Sequence, residues 1–243
     1  MRIGVLGTTN EIGRGVVDRL GSLGHDVVAL DRQKVSMSTN FVSIDLRSLK
    51  LSVEPKLDSM VLLSWIGTPR NSATMDINVR AYKQLASELR KEGTFPVFIS
   101  SMTAKSLSRS VHSRAKREVE LLFMGWGSIL RLGQVLTNSG KVAGKSAQKS
   151  AILTKFGRAI RTDLLIPSVQ LESVVDRVCS VATSRSIGVR ELVDQYHQIG
   201  GKSKASPLVS RKTLENIVKI SALLVFKRRT NIIDRWYALV DSQ

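Results

Sequence analysis

The sequence predicts an α/β protein built on a doubly wound parallel sheet, and three observations carry that prediction. Apolar strand-like runs alternate with helical periods through the first half of the chain. A glycine-bearing turn, Gly7-Thr-Thr-Asn-Glu-Ile-Gly13, falls between the first such run and the first helical period. An acidic residue, Asp31, closes the second run 18 positions after Gly13.

Arg2 to Leu6 is the first strand. Ile12 to Leu23 repeats apolar residues at Val16, Val17, Leu20 and Leu23, a helical spacing that Gly24 ends before the second strand, Val27 to Leu30. Together they make a β-α-β unit. Phe41 to Ile44 and Ser59 to Leu63 read as the third and fourth strands, Met75 to Arg90 as a long helix, and Val97 to Ile99 as the fifth strand. Val111 to Phe123 is the next helix and Ser128 to Leu132 the sixth strand. Beyond Leu136 the period is lost, and the Ser, Gly and Lys cluster over 137–149 reads as an exposed loop over the C-terminal edge of the sheet. Leu171 to Thr183 and Arg190 to Val193 read as a helix and a last short piece of sheet.

The length, 243 residues, suits one large domain with an appendage. Residues 1–136 form the expected binding core, 137–205 a reduced substrate-side region with the last sheet elements, and 206–243 a basic amphipathic helical extension. A hydrophobic content of 42% with 17 Gly and 5 Pro excludes a disordered or collagen-like chain. The lone Cys179, set in VVDRVCSVA, excludes a disulfide scaffold and reads as a buried thiol. With no charged leader or apolar h-region at the start, a reducing, cytoplasmic setting is expected. Ala222 to Phe226, the longest apolar stretch near the C-terminus, is far short of the ~20 residues a membrane span requires.

The net charge of +17 predicts attraction to anions: nucleotide phosphates, nucleic acid or an acidic membrane surface. In the extension, Leu214, Ile217, Val218 and Val225 share a face beside Arg211, Lys212 and Lys219. Its apolar residues, through Ile232, Ile233 and Trp236, dock on the domain or on a second copy in a homodimer, or lie peripherally on an anionic membrane; docking is the favoured reading. Nucleic acid is not an expected partner, because the basic residues lack interleaved stacking aromatics.

The turn carries the clearest chemistry. Glycines there permit a tight bend and close helix packing, while the helix N-terminus offers backbone N–H groups to a pyrophosphate. Gly7, Thr9, Asn10, Glu11, Ile12 and Gly13 are the candidate phosphate-loop residues. Asn10 stands where a middle glycine would let the backbone approach the phosphates, as a residue that tolerates positive φ better than most. Asp31 is placed to accept hydrogen bonds from the adenosine ribose and favours NAD, whereas Arg32 leaves NADP as the alternative.

In this order the features resemble the short-chain dehydrogenase/reductase superfamily, most closely its extended and atypical branch of NAD-dependent epimerases and dehydratases of nucleotide sugars. The resemblance spans roughly residues 1–200 and implies a Rossmann-type fold. Asp45, with Leu46 in FVSIDL, is similar to the acidic position beside the adenine, and Leu63-Ser64-Trp65 falls at the strand end that faces the cofactor. Asn78-Val79 opens the helix where the family carries a site-organising Asn. Ser100-Ser101 ends the strand that bears the family's catalytic Ser, and Leu130-Arg131-Leu132-Gly133 looks like its LRPG strand.

The sequence departs from the family at the catalytic helix. Where the family has Tyr-x-x-x-Lys, this chain reads His112-Ser-Arg-Ala-Lys116, followed by Glu118 and Glu120. The resemblance implies that Lys116 holds the nicotinamide ribose and Ser101 orients the reacting oxygen. A His at position 112 either moves a proton near neutral pH or is an exposed helix-start residue. Only ten residues separate Ser101 from His112, which shortens one substrate wall. Lys141, Lys145, Lys149, Lys155, Arg158 and Arg161 either clamp a substrate diphosphate or form a solvated basic surface. Gly140 to Ser146 imitates a P-loop but has Ser139 where the first glycine belongs. His25, His112, His197 and Cys179 are scattered, so no metal site is expected.

Two functions follow as expectations. One is an NAD(P)-dependent epimerase, dehydratase or reductase acting on a nucleotide sugar, of the kind used in surface polysaccharide biosynthesis. The other is a dinucleotide-binding scaffold or sensor without turnover, docking partners or a membrane through its basic extension.

Overall fold

The computed structural model describes residues 1–33, 40–46, 56–66, 72–105, 111–137 and 164–199. Outside them lie the basic residues from Lys141 to Arg161, the Gly140–Ser146 run and the extension from 206 onward. In chain order the elements are β1 (Arg2–Leu6), α1 (Glu11–Ser22), β2 (Asp26–Asp31), β3 (Asn40–Ser43), β4 (Ser59–Leu62) and α2 (Ser72–Glu92). They continue as β5 (Phe95–Ser101), a 3-10 turn (Met102–Ala104), α3 (Val111–Phe123), β6 (Ser128–Leu132) and β7 (Gln134–Leu136). The last are β8 (Leu164–Gln170), α4 (Leu171–Ser184), β9 (Gly188–Leu192) and β10 (Gln195–Ile199).

The central sheet has seven strands, all parallel, in the order β3-β2-β1-β4-β5-β6-β9. That is a Rossmann-type α/β fold, with the strand order reversing between β1 and β4. Because every strand of a parallel sheet ends on the same edge, the segments after β1, β2, β4 and β5 share one rim.

Each sheet face has its own apolar layer. α2 and α3 cover one face through Tyr82, Leu85, Leu89, Val119 and Phe123, packed on Leu30, Met60, Leu62 and Phe98. α1 and α4 cover the other through Val16, Val17, Leu20, Val174 and Val178, packed on Ile3, Val5, Val61 and Val97. Strands buried on both faces explain why β1, β4 and β5 read as nearly continuous apolar runs. α1 starts at the Asn10 N-cap and ends at Leu23, after which Gly24 takes φ +79°. Cys179 lies in the α4 layer, where burial pushes its thiol up to about 12, an inert side chain.

The structure adds what the pattern did not reveal. β7, β8 and β10 form a second, three-stranded sheet, with β10 antiparallel and β7 parallel to β8. β7 is three residues long and β8 contains Pro167, so neither presents a readable period. Gly133 admits the crossing of this sheet: a Cβ there would meet the Pro167 oxygen at 2.6 Å. The short piece expected at Arg190–Val193 is β9, two residues earlier, and it completes the main sheet beside β6. β5 is longer than its expected core, and α2 begins before Met75.

Charge is unevenly shared along the chain. The described segments hold 17 of the 37 basic residues but 15 of the 20 acidic ones. No described helix is long and apolar enough to cross a membrane.

Candidate functional site

The loop between β1 and α1 is built by contacts that only glycine permits. Gly7 has φ +103°, and a Cβ on it would sit 2.8 Å from the Ser64 backbone nitrogen, so the chain leaving β4 passes directly against this turn. A Cβ on Gly13 would collide with the Gly7 carbonyl oxygen. The two glycines therefore seat the first turn of α1 on the loop and the loop on the β4 rim.

Asn10 corrects one expectation. Its φ is −93°, an ordinary extended value, and its side chain does the work: Oδ1 accepts from the Gly13 N–H at 2.7 Å and Nδ2 donates to the Gly7 carbonyl at 2.8 Å. It is an N-cap, not a left-handed substitute for glycine, because a short amide bridges the loop with both of its polar ends. Glu11 and Ile12 form the first helical turn, where backbone N–H groups lack helical acceptors. Ile12 packs on the α1 layer, whereas Glu11 is half-buried with one carboxylate oxygen enclosed and without a hydrogen-bond partner.

Asp31 joins this loop from the end of β2. Its carboxylate accepts from the Thr9 N–H at 3.0 Å and from the Arg32 N–H at 2.7 Å, while its carbonyl accepts from the Ile44 N–H. Arg32 itself is exposed. Asp45 is half-buried just after β3, and Leu46 is 4% exposed within the core cluster, a packing residue at the floor of this rim.

The segment after β4 is pinned from α2. Buried Asn78 accepts from the Ile66 N–H at 2.7 Å and donates to the Ile66 carbonyl at 3.0 Å, a two-way clasp on one residue's backbone. Asn78 lies in the second turn of α2 and not at its opening, since the helix starts at Ser72. One turn further along, the Tyr82 hydroxyl donates to the Ser64 carbonyl. Burial raises the Tyr82 pKa, so this phenol stays a donor. The sequence reading missed Tyr82; the available signal was a phenol at i+4 from Asn78 on the same helix face.

Two of the three candidate catalytic residues, His112 and Lys116, meet at Trp65, whereas Ser101 contacts Thr103. The Trp65 ring stacks near Tyr82 with centroids 5.8 Å apart and meets the His112 ring edge-on at 5.6 Å. The Lys116 ammonium lies 4.0 Å from the Trp65 centroid and 4.7 Å from that of Phe98, and it donates to the Ile99 carbonyl at 2.9 Å. Lys116 is 7% exposed. Desolvation lowers its pKa to about 7, opposed by the weaker pull of Glu120. Glu120, one turn on, is engaged with Arg131 of β6 through two bonds of 3.1 and 2.7 Å. Those bonds, ahead of any other influence, raise the Arg131 pKa. Ser101 ends β5 with its Oγ accepting from the Thr103 N–H at 3.3 Å and from the Thr103 hydroxyl at 3.1 Å, which caps the 3-10 turn and leaves its own proton to donate.

The residues present fit a dinucleotide at the β1, β2 and β4 rim. The loop is a cradle that a Cβ would fill at Gly7 or Gly13, and an acceptor carboxylate stands at the end of β2. The Thr8 hydroxyl is buried there without a partner. Glu11 is the opposing feature, a carboxylate at the helix end that a phosphate would use.

Solved structures share this architecture. A UDP-galactose 4-epimerase superposes with a TM-score of 0.65 at 18% identity, over 82% of this chain and 80% of that one. MoeE5 in complex with UDP-glucose and NAD gives 0.64 at 20% identity, over 93% and 82%. The Thermus thermophilus UDP-glucose 4-epimerase complex with NAD gives 0.62 at 17% identity, over 91% and 84%. No family model matches the chain. No curated protein matches it either. The likeness shows the fold, that of the NAD-dependent nucleotide-sugar epimerases and dehydratases.

Proposed function

We propose that this chain binds NAD along the rim of β1, β2 and β4 and acts on a nucleotide sugar as an epimerase, dehydratase or reductase. The observation that carries this reading is the Asp31 carboxylate fastened to the Thr9 N–H above a loop that only glycines can form. A fixed carboxylate there accepts from ribose hydroxyls and repels a 2′-phosphate, which favours NAD over NADP. The nucleotide-sugar substrate is supported by the structures of like fold, whose bound or named substrates include UDP-glucose and UDP-galactose.

In this reading the backbone N–H groups of the loop and of Glu11 and Ile12 hold the pyrophosphate, and Ser64 and Trp65 border the nicotinamide end. The nicotinamide supplies hydride transfer. Ser101 donates its remaining hydroxyl proton to the substrate oxygen and fixes its orientation. Residues 1–136 form the binding core, 137–205 the substrate side, and 206–243 an extension that docks on the domain or a second copy. Surface polysaccharide assembly is the process that such an activity would serve.

The test is a paired titration with NADH and NADPH by nicotinamide fluorescence, repeated at high salt to remove loose attraction to the +17 chain. Saturable, salt-resistant binding with NADH preferred is expected; absence of binding by either overturns the proposal. A scaffold without turnover is the second reading, and the use of Ser101 as a turn cap favours it. NADH binding without consumption of any UDP-sugar would select it.

A further inference from the structure

The outer strand of the main sheet, β9, is bare on one side. Register sets Glu191 of β9 beside Arg131 of β6, and Arg131 is joined both to Glu191 and to Glu120 of α3. Glu191 therefore lies on the sheet face that α2 and α3 cover, and Val189, two residues earlier, lies there too. α3 packs over β5 and β6. Val189 is exposed, although its register partner Ile129 is buried in the layer beneath α3. On the opposite face Leu192 is buried in the α1 and α4 layer, so the two sides of this strand are unlike.

The bare side continues onto α3. The Met124 N–H still donates to the Glu120 carbonyl, which sets Met124 one turn beyond Glu120 on the side of α3 nearest β6. Leu121, 66% exposed, follows Glu120 directly. Ile187 is exposed just before β9 begins. Four of the seven large apolar side chains exposed among the described residues, Leu121, Met124, Ile187 and Val189, thus gather at one flank. An uncovered apolar strand at a sheet edge is a template for other chains, and folded proteins cover such edges with a helix or a loop.

We propose that the C-terminal extension of the same chain covers this flank, with its apolar stripe of Leu214, Ile217, Val218 and Val225 lying along β9 and against the end of α3. These residues lie outside the described ones, and three considerations select them. The first is reach. The chain leaves from β10, and from Ile199 back to the end of β9 is seven residues, at most about 24 Å, whereas the fourteen residues 200–213 span up to about 46 Å. The second is length. As a helix, Leu214 to Val225 extends about 18 Å, matching the roughly 17 Å of a five-residue strand such as β9. Gly200, Gly201 and Pro207 fall in the connecting stretch, and from 208 to the end the sequence has neither glycine nor proline. The third is area. Four side chains are far fewer than the roughly 20–30 residues a side of a stable interface between separate molecules, whereas a tethered segment meets the flank at high effective concentration however dilute the protein. The placement narrows the docking of residues 206–243 to one site and holds whether or not the rim binds NAD.

Hydrogen exchange of the full chain, read peptide by peptide at a concentration where light scattering gives the mass of one chain, tests this. Ile217→Asp combined with Val218→Asp is expected to speed exchange in β9 and the last turn of α3 at least about tenfold, while the end of α1, where Leu23 is likewise exposed, stays as it was. Val189→Asp alters an exposed side chain and is expected to speed exchange over 214–225 by a similar factor. Unchanged exchange in β9 and α3 in the stripe variant overturns the proposal. Protection of 214–225 that survives Val189→Asp overturns it as well, because the extension then rests elsewhere. Protection of β9 that appears only where two chains associate, or only with phosphatidylglycerol vesicles, gives the flank to a second copy or to a membrane and equally overturns it.

Discussion

The Asp31 carboxylate accepts a hydrogen bond from the Thr9 N–H at 3.0 Å, so the end of β2 and the loop after β1 are fixed to each other before any ligand arrives. A side chain expected to meet a ribose is also the strut that shapes the phosphate loop. Asp31→Ala removes both roles. NADH affinity should fall at least about tenfold, with a smaller loss for NADPH, in a fluorescence titration; equal losses for both would show that the strut alone matters.

Glu11 places a carboxylate at the helix end where a pyrophosphate would lie. Glu11→Gln removes the charge and keeps the shape, so NADH binding should tighten severalfold at low salt, with the gain shrinking as ionic strength rises. Calorimetric titration at two salt concentrations checks this, and weaker binding in the variant would move the phosphates elsewhere.

Gly13→Ala pushes a methyl into the Gly7 carbonyl, backbone that cannot swing away. A loss of about 2–4 kcal/mol in urea unfolding is expected, well above a helix-propensity change and of opposite sign to it. The exposed Gly21, with nothing near its missing Cβ, is the control: Gly21→Ala should stabilise slightly.

Glu120 and Arg131 are 3% and 18% exposed and joined by two bonds. Removing Glu120 leaves the largely buried Arg131 only its longer contact with Glu191, at 3.8 Å, so Glu120→Ala should cost about 3 kcal/mol, whereas Glu120→Leu with Arg131→Met should cost much less. A double-mutant cycle from denaturant midpoints measures the difference.

Lys116 also leaves a mark on stability. Its folded pKa, about 7, lies below its unfolded value of 10.5, so between those limits the unfolded chain binds the extra proton. Stability contributed by this site therefore rises with pH from 7 to about 10, with a slope approaching one proton, and is flat below 7. Lys116→Met should abolish that slope, which unfolding at a series of pH values will show.

Much of the main sheet was legible because burial on both faces leaves an unmistakable apolar run, as in β1 and β4, and because Gly24 closes α1. The loop was legible as a position but not as a mechanism: a sequence shows Asn at the middle site, while its extended φ and two-ended bridge depend on where the Gly7 carbonyl lies. Lys116 was visible by spacing from His112, yet its enclosure comes from Trp65, 51 residues away, and from the β5 carbonyl edge. The second sheet escaped because β7 is short and because the pairing of Pro167 with Tyr196 in β10 is a tertiary fact without a local period.

With basic and acidic residues at 17 to 15, the described body is close to electroneutral, although the chain as a whole has a pI near 10.5. Retention on a cation exchanger, or on any polyanion, is then governed by the remaining segments, which carry 20 basic and five acidic residues. Ionic strength can release the protein from such a surface while leaving the rim at β1, β2 and β4, held by short hydrogen bonds and by packing, as it was.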